Sequence, residues 1–129
     1  MATKPISQNV TVSAEDGSVR LAVNANGSIN AIAPGTYETV AASQAAQILG
    51  ASGAVGDYLQ GLLVVPASTS PGNVIVLDDA TSITVFAGGA SSVATLIPFF
   101  VPIGAFSVNG AWKVTTGAAV SVVAVGNFT

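Results

Sequence analysis

Residues 110–129, G-A-W-K-V-T-T-G-A-A-V-S-V-V-A-V-G-N-F-T, carry the clearest structural signal in the sequence. Trp112, Val114 and Thr116 share one parity, and a second run begins after Gly117. The positions of that second run that share a parity are Val120, Val122, Ala124, Gly126 and Phe128. Period-two alternation rich in Val and Thr is typical of a strand with one buried face. The stretch predicts two strands that pair as a hairpin beginning at Asn109-Gly110, with Trp112 as its packing anchor.

Composition points to an unusual surface. The chain has 129 residues, enough for one domain with an appended arm, and half of them are hydrophobic. Only 7% are charged, whereas ordinary globular domains have about a quarter. The exposed positions therefore have to be Ser, Thr, Asn and Gly, or be covered by other subunits, because large apolar patches usually mark interaction sites.

Residue types also argue against several functions. Three basic residues and a net charge of −3 argue against nucleic acid, whose binding requires clustered Lys and Arg. The absence of Cys and His removes thiolate chemistry, the commonest general base and the commonest metal ligand. No Sec-type signal peptide and no apolar run of 18 residues is visible, so we expect synthesis in the cytoplasm and no membrane helix. We expect no cofactor, no bound metal and no enzymatic activity.

The chain predicts an N-terminal β arm over residues 1–35 and a β-sandwich over residues 36–129. Three short alternating runs, at 10–14, 18–23 and 28–33, are separated by the turn signals E-D-G and N-A-N-G. These runs hold few large apolar residues, and three strands need a well-filled apolar face to be stable alone. The segment is therefore predicted to dock on another surface, with Val10, Val12, Leu21 and Val23 as candidate interface residues.

From residue 36 onward, strands at regular spacing with turn residues between them predict an all-β antiparallel sandwich or jelly roll. The predicted strands are 37–41, 57–66, 73–77, 82–86, 96–103 and the C-terminal pair. Residues 57–66 are apolar on both parities, which predicts a strand covered on both faces. Residues 43–49 fit either one or two helical turns capped by Ser43 or a strand ending at Gln47-Ile48-Leu49.

The segment I-P-F-F-V-P-I at 97–103 is the second candidate interface. Proline cannot donate to a β ladder, so Pro98 and Pro102 place this segment at a sheet edge or a strong bend. Large apolar groups fall on both parities, and either the two sheets or another subunit has to cover them. Pro98, Phe99, Phe100 and Pro102 are therefore candidate assembly residues.

Two weaker candidate sites have simpler structural interpretations. Asp78-Asp79, joined by Asp57 from another loop, could offer oxygen ligands to a hard cation, but turn residues between two strands explain the pair better. Trp112, Tyr37 and Tyr58 could form a sugar-stacking platform, although their parity matches that of apolar neighbours and favours core packing.

Four segments together resemble small structural proteins of tailed bacteriophages. They are Q-I-L-G-A-S-G-A-V-G-D-Y-L at 47–59, V-I-V-L-D-D at 74–79, I-T-V-F-A-G-G at 83–89 and G-A-W-K-V-T-T-G-A at 110–118. The pattern is most similar to capsid decoration (cement) or head-fibre proteins. The resemblance implies a β-rich, frequently trimeric virion protein on the outside of the capsid, with the major capsid protein as partner and an arm that assists docking. A tail or neck location and a host-surface glycan ligand of a fibre or tail component are the alternatives.

Overall fold

The protein is described here by a computed structural model that covers Ala25 and residues 35–129. The predicted arm, with Val10, Val12, Leu21 and Val23, lies outside the described residues. Eight strands are present: β1 (Thr36–Val40), β2 (Gln47–Ile48), β3 (Tyr58–Pro66), β4 (Val74–Asp78), β5 (Thr81–Phe86), β6 (Phe99–Phe106), β7 (Trp112–Thr116) and β8 (Val120–Asn127). The described part contains no helix, so the prediction of an all-β fold is confirmed.

The strands form two antiparallel four-stranded sheets. Sheet I has the order β1-β8-β3-β6, and sheet II has the order β2-β7-β4-β5. Four of the pairings, β1 with β8, β2 with β7, β3 with β6 and β4 with β5, nest inside one another along the chain. The described residues therefore form a long antiparallel ribbon that closes at the β4–β5 hairpin and is rolled up into two sheets, which is the arrangement of an eight-stranded jelly roll.

The core lies between the two sheets and is almost entirely aliphatic. Alternation along each strand turns every second side chain inward, where both sheets contribute to one cluster. Its buried members are Val40, Leu49, Leu59, Leu62, Val64, Val74, Val76, Trp112, Val114, Val120, Val122 and Ala124. Burying a Val or Leu side chain fully contributes about 1.5–3 kcal/mol relative to leaving it exposed, so this cluster is the main source of stability.

The C-terminal stretch forms the strands that its alternation predicts, but not a hairpin. Trp112, Val114 and Thr116 are buried on β7, and the predicted inward face of β8 is buried from Val120 to Gly126. The prediction that these strands form a hairpin is wrong, because β7 pairs in sheet II and β8 pairs in sheet I. Each occupies a central position in its sheet, so the stretch contributes one internal strand to each layer.

The crossing from β7 to β8 depends on two glycines in close contact. An ideal Cβ placed on Gly72 would lie 2.6 Å from the Cα of Gly117. The Gly117 N–H donates to the carbonyl of Asn73 at 2.8 Å, and the Gly72 N–H donates to the carbonyl of Ala118 at 2.8 Å. Side chains at these positions would force the two loops apart, so the glycines permit the chain to change sheets within three residues.

The remaining strand predictions differ from the structure mainly at their ends. Residues 43–49 contain no helix, and Gln47–Ile48 form a two-residue strand, as the second interpretation required. The segment predicted at 96–103 begins later, at Phe99, and continues to Phe106. It is an edge strand of sheet I, which confirms the position that Pro98 and Pro102 require. Strand β3 lies between β8 and β6. The described residues do not cover both of its faces as predicted, because Leu63 and Val65 point away from the core and are only half-buried.

Candidate functional site: the outer face of sheet I

The outer face of sheet I is lined by apolar, hydroxyl and amide side chains. On β8 the inward positions Val120, Val122 and Ala124 are buried, and the same alternation identifies the outward positions of the other three strands. The outward residues are Tyr37, Thr39, Tyr58, Leu63, Val65, Phe100, Pro102, Phe106, Ser121, Val123, Val125 and Asn127. We call this set the outer face.

Cross-strand register arranges these residues in rows. Thr39 pairs with Val123, Val123 with Leu63, and Leu63 with Phe100, so one row crosses all four strands. Side chains at such directly opposed positions lie about 4.5–5.5 Å apart at Cβ, close enough to contact one another. The row is therefore an uncharged strip that is apolar from Val123 through Leu63 to Phe100 on the edge strand.

A bulge in β3 shapes the middle of the outer face. The register of β3 shifts between Leu59 and Gly61 against both of its neighbours. A Cβ on Gly61 would overlap the ring of Phe100 and come within 2.6 Å of the Val101 carbonyl. The absence of a side chain at Gly61 therefore allows the Phe100 ring to lie across β3, where it remains 47% exposed.

Aromatic residues mark two further places on the outer face. The rings of Tyr58 and Phe106 have their centroids 5.1 Å apart with planes at 50°, a tilted arrangement that aromatic pairs favour. Phe106 is nevertheless 65% exposed, and Tyr37 on β1 is 74% exposed. Leu96 and Ile97 extend the exposed apolar surface just before β6. Large apolar side chains grouped in this way are uncommon on the surface of a monomer.

The charged side chains of the described part lie elsewhere. Glu38 shares its parity with buried Val40 and points away from the outer face, and its carboxylate accepts hydrogen bonds from Gln47 Nε2 at 3.2 Å and the Gly50 N–H at 2.6 Å. Lys113 lies on β7 in sheet II and forms a 3.0 Å ion pair with Asp79. The described residues therefore place no charged side chain on the outer face.

The candidate interface residues around β6 separate onto two faces. Phe100 and Pro102 lie on the outer face, and Pro98 is exposed just before the strand. Phe99 points the other way, packs against the core and meets Phe86 edge-to-face with centroids 5.4 Å apart. The pair closes the corner between β5 and β6, so Phe99 contributes to packing of the sandwich.

Sequence reasoning missed most of the outer face. Tyr37, Phe106, Val123 and Val125 were not candidate interface residues, because each belongs to an alternating strand that predicts one exposed side. The signal that could have found them is the size of the residues on that exposed side. Valine and aromatic residues occupy the parity opposite the core in β1, β6 and β8.

Asp57 holds three loops together. Its carboxylate accepts hydrogen bonds from the Ala54 N–H at 2.9 Å, the Thr129 N–H at 3.2 Å and the Thr129 hydroxyl at 3.1 Å. Its carbonyl accepts from Trp112 Nε1 at 2.9 Å and from the Ser107 N–H at 2.8 Å. Trp112 is thus a buried core residue with its only polar atom satisfied, which confirms core packing over a sugar-stacking role.

Asp78 fixes the turn between β6 and β7. Its carboxylate accepts from the N–H groups of Val108, Asn109 and Gly110 at 3.0–3.3 Å, and from Asn109 Nδ2 at 3.1 Å. Burial by itself would raise the pKa of Asp78. The hydrogen bonds that the ionised carboxylate accepts outweigh this effect, so the pKa lies below the ordinary value of 3.8. The side chain is therefore a charged support for a turn.

The carboxylates do not converge. Asp79 lies in the β4–β5 turn with a φ of 55° and pairs with Lys113, and Asp57 and Asp78 each bind main-chain groups of their own neighbouring loops. The described residues contain no group of three or more His, Cys, Asp or Glu that could hold a metal ion. Asp78 and Asp79 are turn residues, as the simpler interpretation predicts.

Comparison with known proteins yields no relative. No protein-family model matches the chain, and no curated protein or solved structure is similar enough to count as a match. Over the described residues, the structure has no helix that is long and apolar enough to span a membrane.

Proposed function

We propose that this chain is a non-enzymatic virion structural protein of a tailed bacteriophage that decorates and stabilises the outside of the capsid. The observation that carries the proposal is the uncharged outer face of sheet I, with Tyr37, Phe100 and Phe106 exposed. The resemblance of four sequence segments to phage decoration and head-fibre proteins suggests the capsid as the partner.

The outer face suits contact with another protein surface. Interface centres are enriched in Tyr, Phe and other aromatic residues and depleted of charge. The face offers aromatic anchors at Tyr37, Phe100 and Phe106 on a rigid sheet, so little ordering entropy opposes binding. In this proposal the outer face binds the major capsid protein on the head surface.

The architecture also suits a role as a scaffold. Asp57 and Asp78 use their hydrogen-bonding capacity to hold loops, and neither is directed to a partner molecule. A surface with few charges depends on hydroxyl and amide groups for hydration, which fits a protein packed at high local copy number. These features support a structural rather than a catalytic role in the virion.

The test uses heads of the encoding phage from which this protein is absent. Purified protein is expected to co-sediment with these heads saturably, and antibody labelling of complete virions is expected to decorate the head. Wild-type protein that stays in the supernatant, or labelling confined to the tail or neck, would contradict the proposal. Native mass spectrometry of the isolated protein measures its oligomeric state separately.

A second candidate is a carbohydrate- or host-surface-binding module of a fibre or tail component. The observation that favours it is Tyr37, which is 74% exposed on an edge strand and available for stacking on a sugar ring. Tyr58 is less suited, because it packs against Phe106. Glycan-array binding that disappears in Tyr37→Ala would support this candidate, and an array without hits would remove it.

A further inference from the structure

The edge strands of the two sheets differ in how they are protected against pairing with another strand. An edge strand presents unpaired N–H and C=O groups. Proteins usually prevent it from pairing with another chain by means of short strands, proline, bulges, charge or covering groups. All four described edges show such a device, but in three of them it affects the middle or the whole of the strand. β2 has only two residues, β6 contains Pro102 and a Gly104 at φ +66°, and β1 has Gln47 Nε2 bound to its Thr39 carbonyl at 3.2 Å.

The device in β5 is a bulge near its end. The register of β5 against β4 shifts between Ile75 and Val74, which leaves Val85 as the extra residue, whereas residues 81–84 pair regularly. The β5 sequence T-S-I-T-V-F contains no charge, no proline and no glycine, and four of its six residues are β-branched. Thr81, Ser82, Ile83 and Thr84 are exposed. Within the described part of the chain, the main-chain hydrogen bonds of β5 are those of its ladder with β4. Residues 81–84, which precede the bulge, are therefore a template for one more antiparallel strand.

We infer that β5 pairs with β5 of a second copy of this chain, antiparallel, about a two-fold axis that passes beside Ile83. The pairing joins sheet II of both copies into one continuous sheet of eight strands. The inference concerns a different surface from the outer face of sheet I, and it holds or fails independently of the virion location.

The pattern of β5 is self-complementary in this register. Ile83 lies opposite Ile83 of the second copy, and Ser82 lies opposite Thr84 on each side of the axis. Ser82 and Thr84 pair with Leu77 and Ile75 on the solvent side of sheet II, so polar residues meet polar residues there. On the inner side Ile83, which is 43% exposed in the single subunit, meets its own copy and loses contact with water. No charge on either strand opposes the contact.

The register makes a prediction that a general apolar contact would not. Ser82→Lys with Thr84→Lys places a lysine opposite a lysine of the second copy twice, and like charges directly opposite one another destabilise a pair of strands. Ser82→Lys with Thr84→Glu instead places opposite charges across the axis. Both positions are exposed in the single subunit, so we expect both double variants to fold.

Sedimentation velocity across a concentration series tests the inference, and circular dichroism confirms folding. We expect a dimer for the wild type, at least a roughly tenfold weaker dimer for the Lys/Lys variant, and a dimer of wild-type strength or tighter for the Lys/Glu variant. Ser92→Lys with Thr95→Lys adds the same charge to an exposed loop and is the matched control, expected to dimerise normally.

Three results would overturn the pairing: a wild-type protein that stays monomeric up to about 100 µM (a free energy weaker than about −5.5 kcal/mol), a trimer, or a Lys/Lys variant that dimerises as well as the loop control. None of these results bears on co-sedimentation with heads, so a failure here is separable from a failure of the proposed function.

Discussion

The two outer faces of this sandwich are built from the same kind of strand but present different surfaces. On sheet I the outward positions include Tyr37, Phe100 and Phe106, and no charged side chain lies among them. On sheet II the central strand β7 turns Lys113 and Thr115 outward. Lys113 pairs with Asp79, and the hydroxyl of Thr115 accepts a hydrogen bond from the Ala46 N–H at 2.9 Å.

The difference shows that burial of the core does not determine the surface. Both sheets satisfy the same inward alternation, so selection for folding leaves the outward parity free. Sheet I fills that parity with valine and aromatic residues, whereas sheet II uses part of it for an ion pair and loop contacts. The outward side of sheet I thus carries exposed aromatic residues and no charge among the described residues, whereas that of sheet II combines Ile48, Ile75 and Leu77 with the Lys113 ion pair.

The largest expected effect is on the core that both faces share. Trp112→Ala should lower the free energy of unfolding by about 3–5 kcal/mol, because the ring is buried and its removal leaves a cavity. The melting temperature should fall by on the order of 15–30 °C. Trp112→Phe keeps an aromatic ring but removes the hydrogen bond to the Asp57 carbonyl. Its free energy of unfolding should fall much less. A near wild-type melt for Trp112→Ala would contradict the packing described here.

A smaller effect is expected at the turn that supports β7. Asp78→Asn weakens hydrogen bonds from the N–H groups of Val108, Asn109 and Gly110, and should cost about 1–3 kcal/mol at neutral pH. Chemical denaturation measures this cost.

The stabilisation that Asp78 contributes should also depend on pH. The folded pKa of Asp78 lies below its ordinary value of 3.8, so its stabilisation is complete above that value. It is lost as the pH falls through the lower folded pKa. The difference in the free energy of unfolding between wild type and Asp78→Asn should therefore shrink below about pH 4. A gap that stays constant down to pH 2 would contradict a stabilising charge.

The third prediction separates the two outer faces directly. Phe100→Ser with Phe106→Ser should change the free energy of unfolding of the free subunit much less than Trp112→Ala, because both rings are substantially exposed. Binding to heads should weaken at least about tenfold, since aromatic anchors carry a large share of interface energy. Ile48→Ser on the outer face of sheet II is the matched control, and its binding should stay near wild type. Equal loss in both variants would mean that the faces do not differ in function.

The smallest effect is expected at the ion pair on sheet II. Asp79→Asn removes the partner of Lys113, whose side chain is 24% exposed while that of Asp79 is 52% exposed. Exposed pairs contribute about 0–1 kcal/mol and are screened by salt. Thermal melts should show a small loss of stability at low salt. The loss should disappear in about 0.5 M NaCl, because salt screens the attraction between exposed charges. A loss as large as that of Asp78→Asn would contradict this ranking.

Much of the fold could be predicted because alternation is a local property. The inward faces of β7 and β8, the edge position that Pro98 and Pro102 require, and the turn between β4 and β5 all follow from residues close together in sequence. The hairpin was predicted wrongly for the same reason, since local turn chemistry at residues 117–119 does not show whether the chain returns in its own sheet or crosses to the other. The crossing depends on Gly72, which is 45 residues away.

Local sequence pattern is enough to predict that the described residues are all-β, which side chains of most strands face the core, and that few charges are available for the surface. It does not show which strands become neighbours, because pairing depends on contacts between segments far apart in the chain. That pairing places Tyr37, Val123, Leu63 and Phe100 on one surface and puts β5 at the edge of sheet II among the described strands. It also brings Asp57 to Thr129, and Asp78 to the turn before β7, where hydrogen bonds to distant main chain give both carboxylates a structural role.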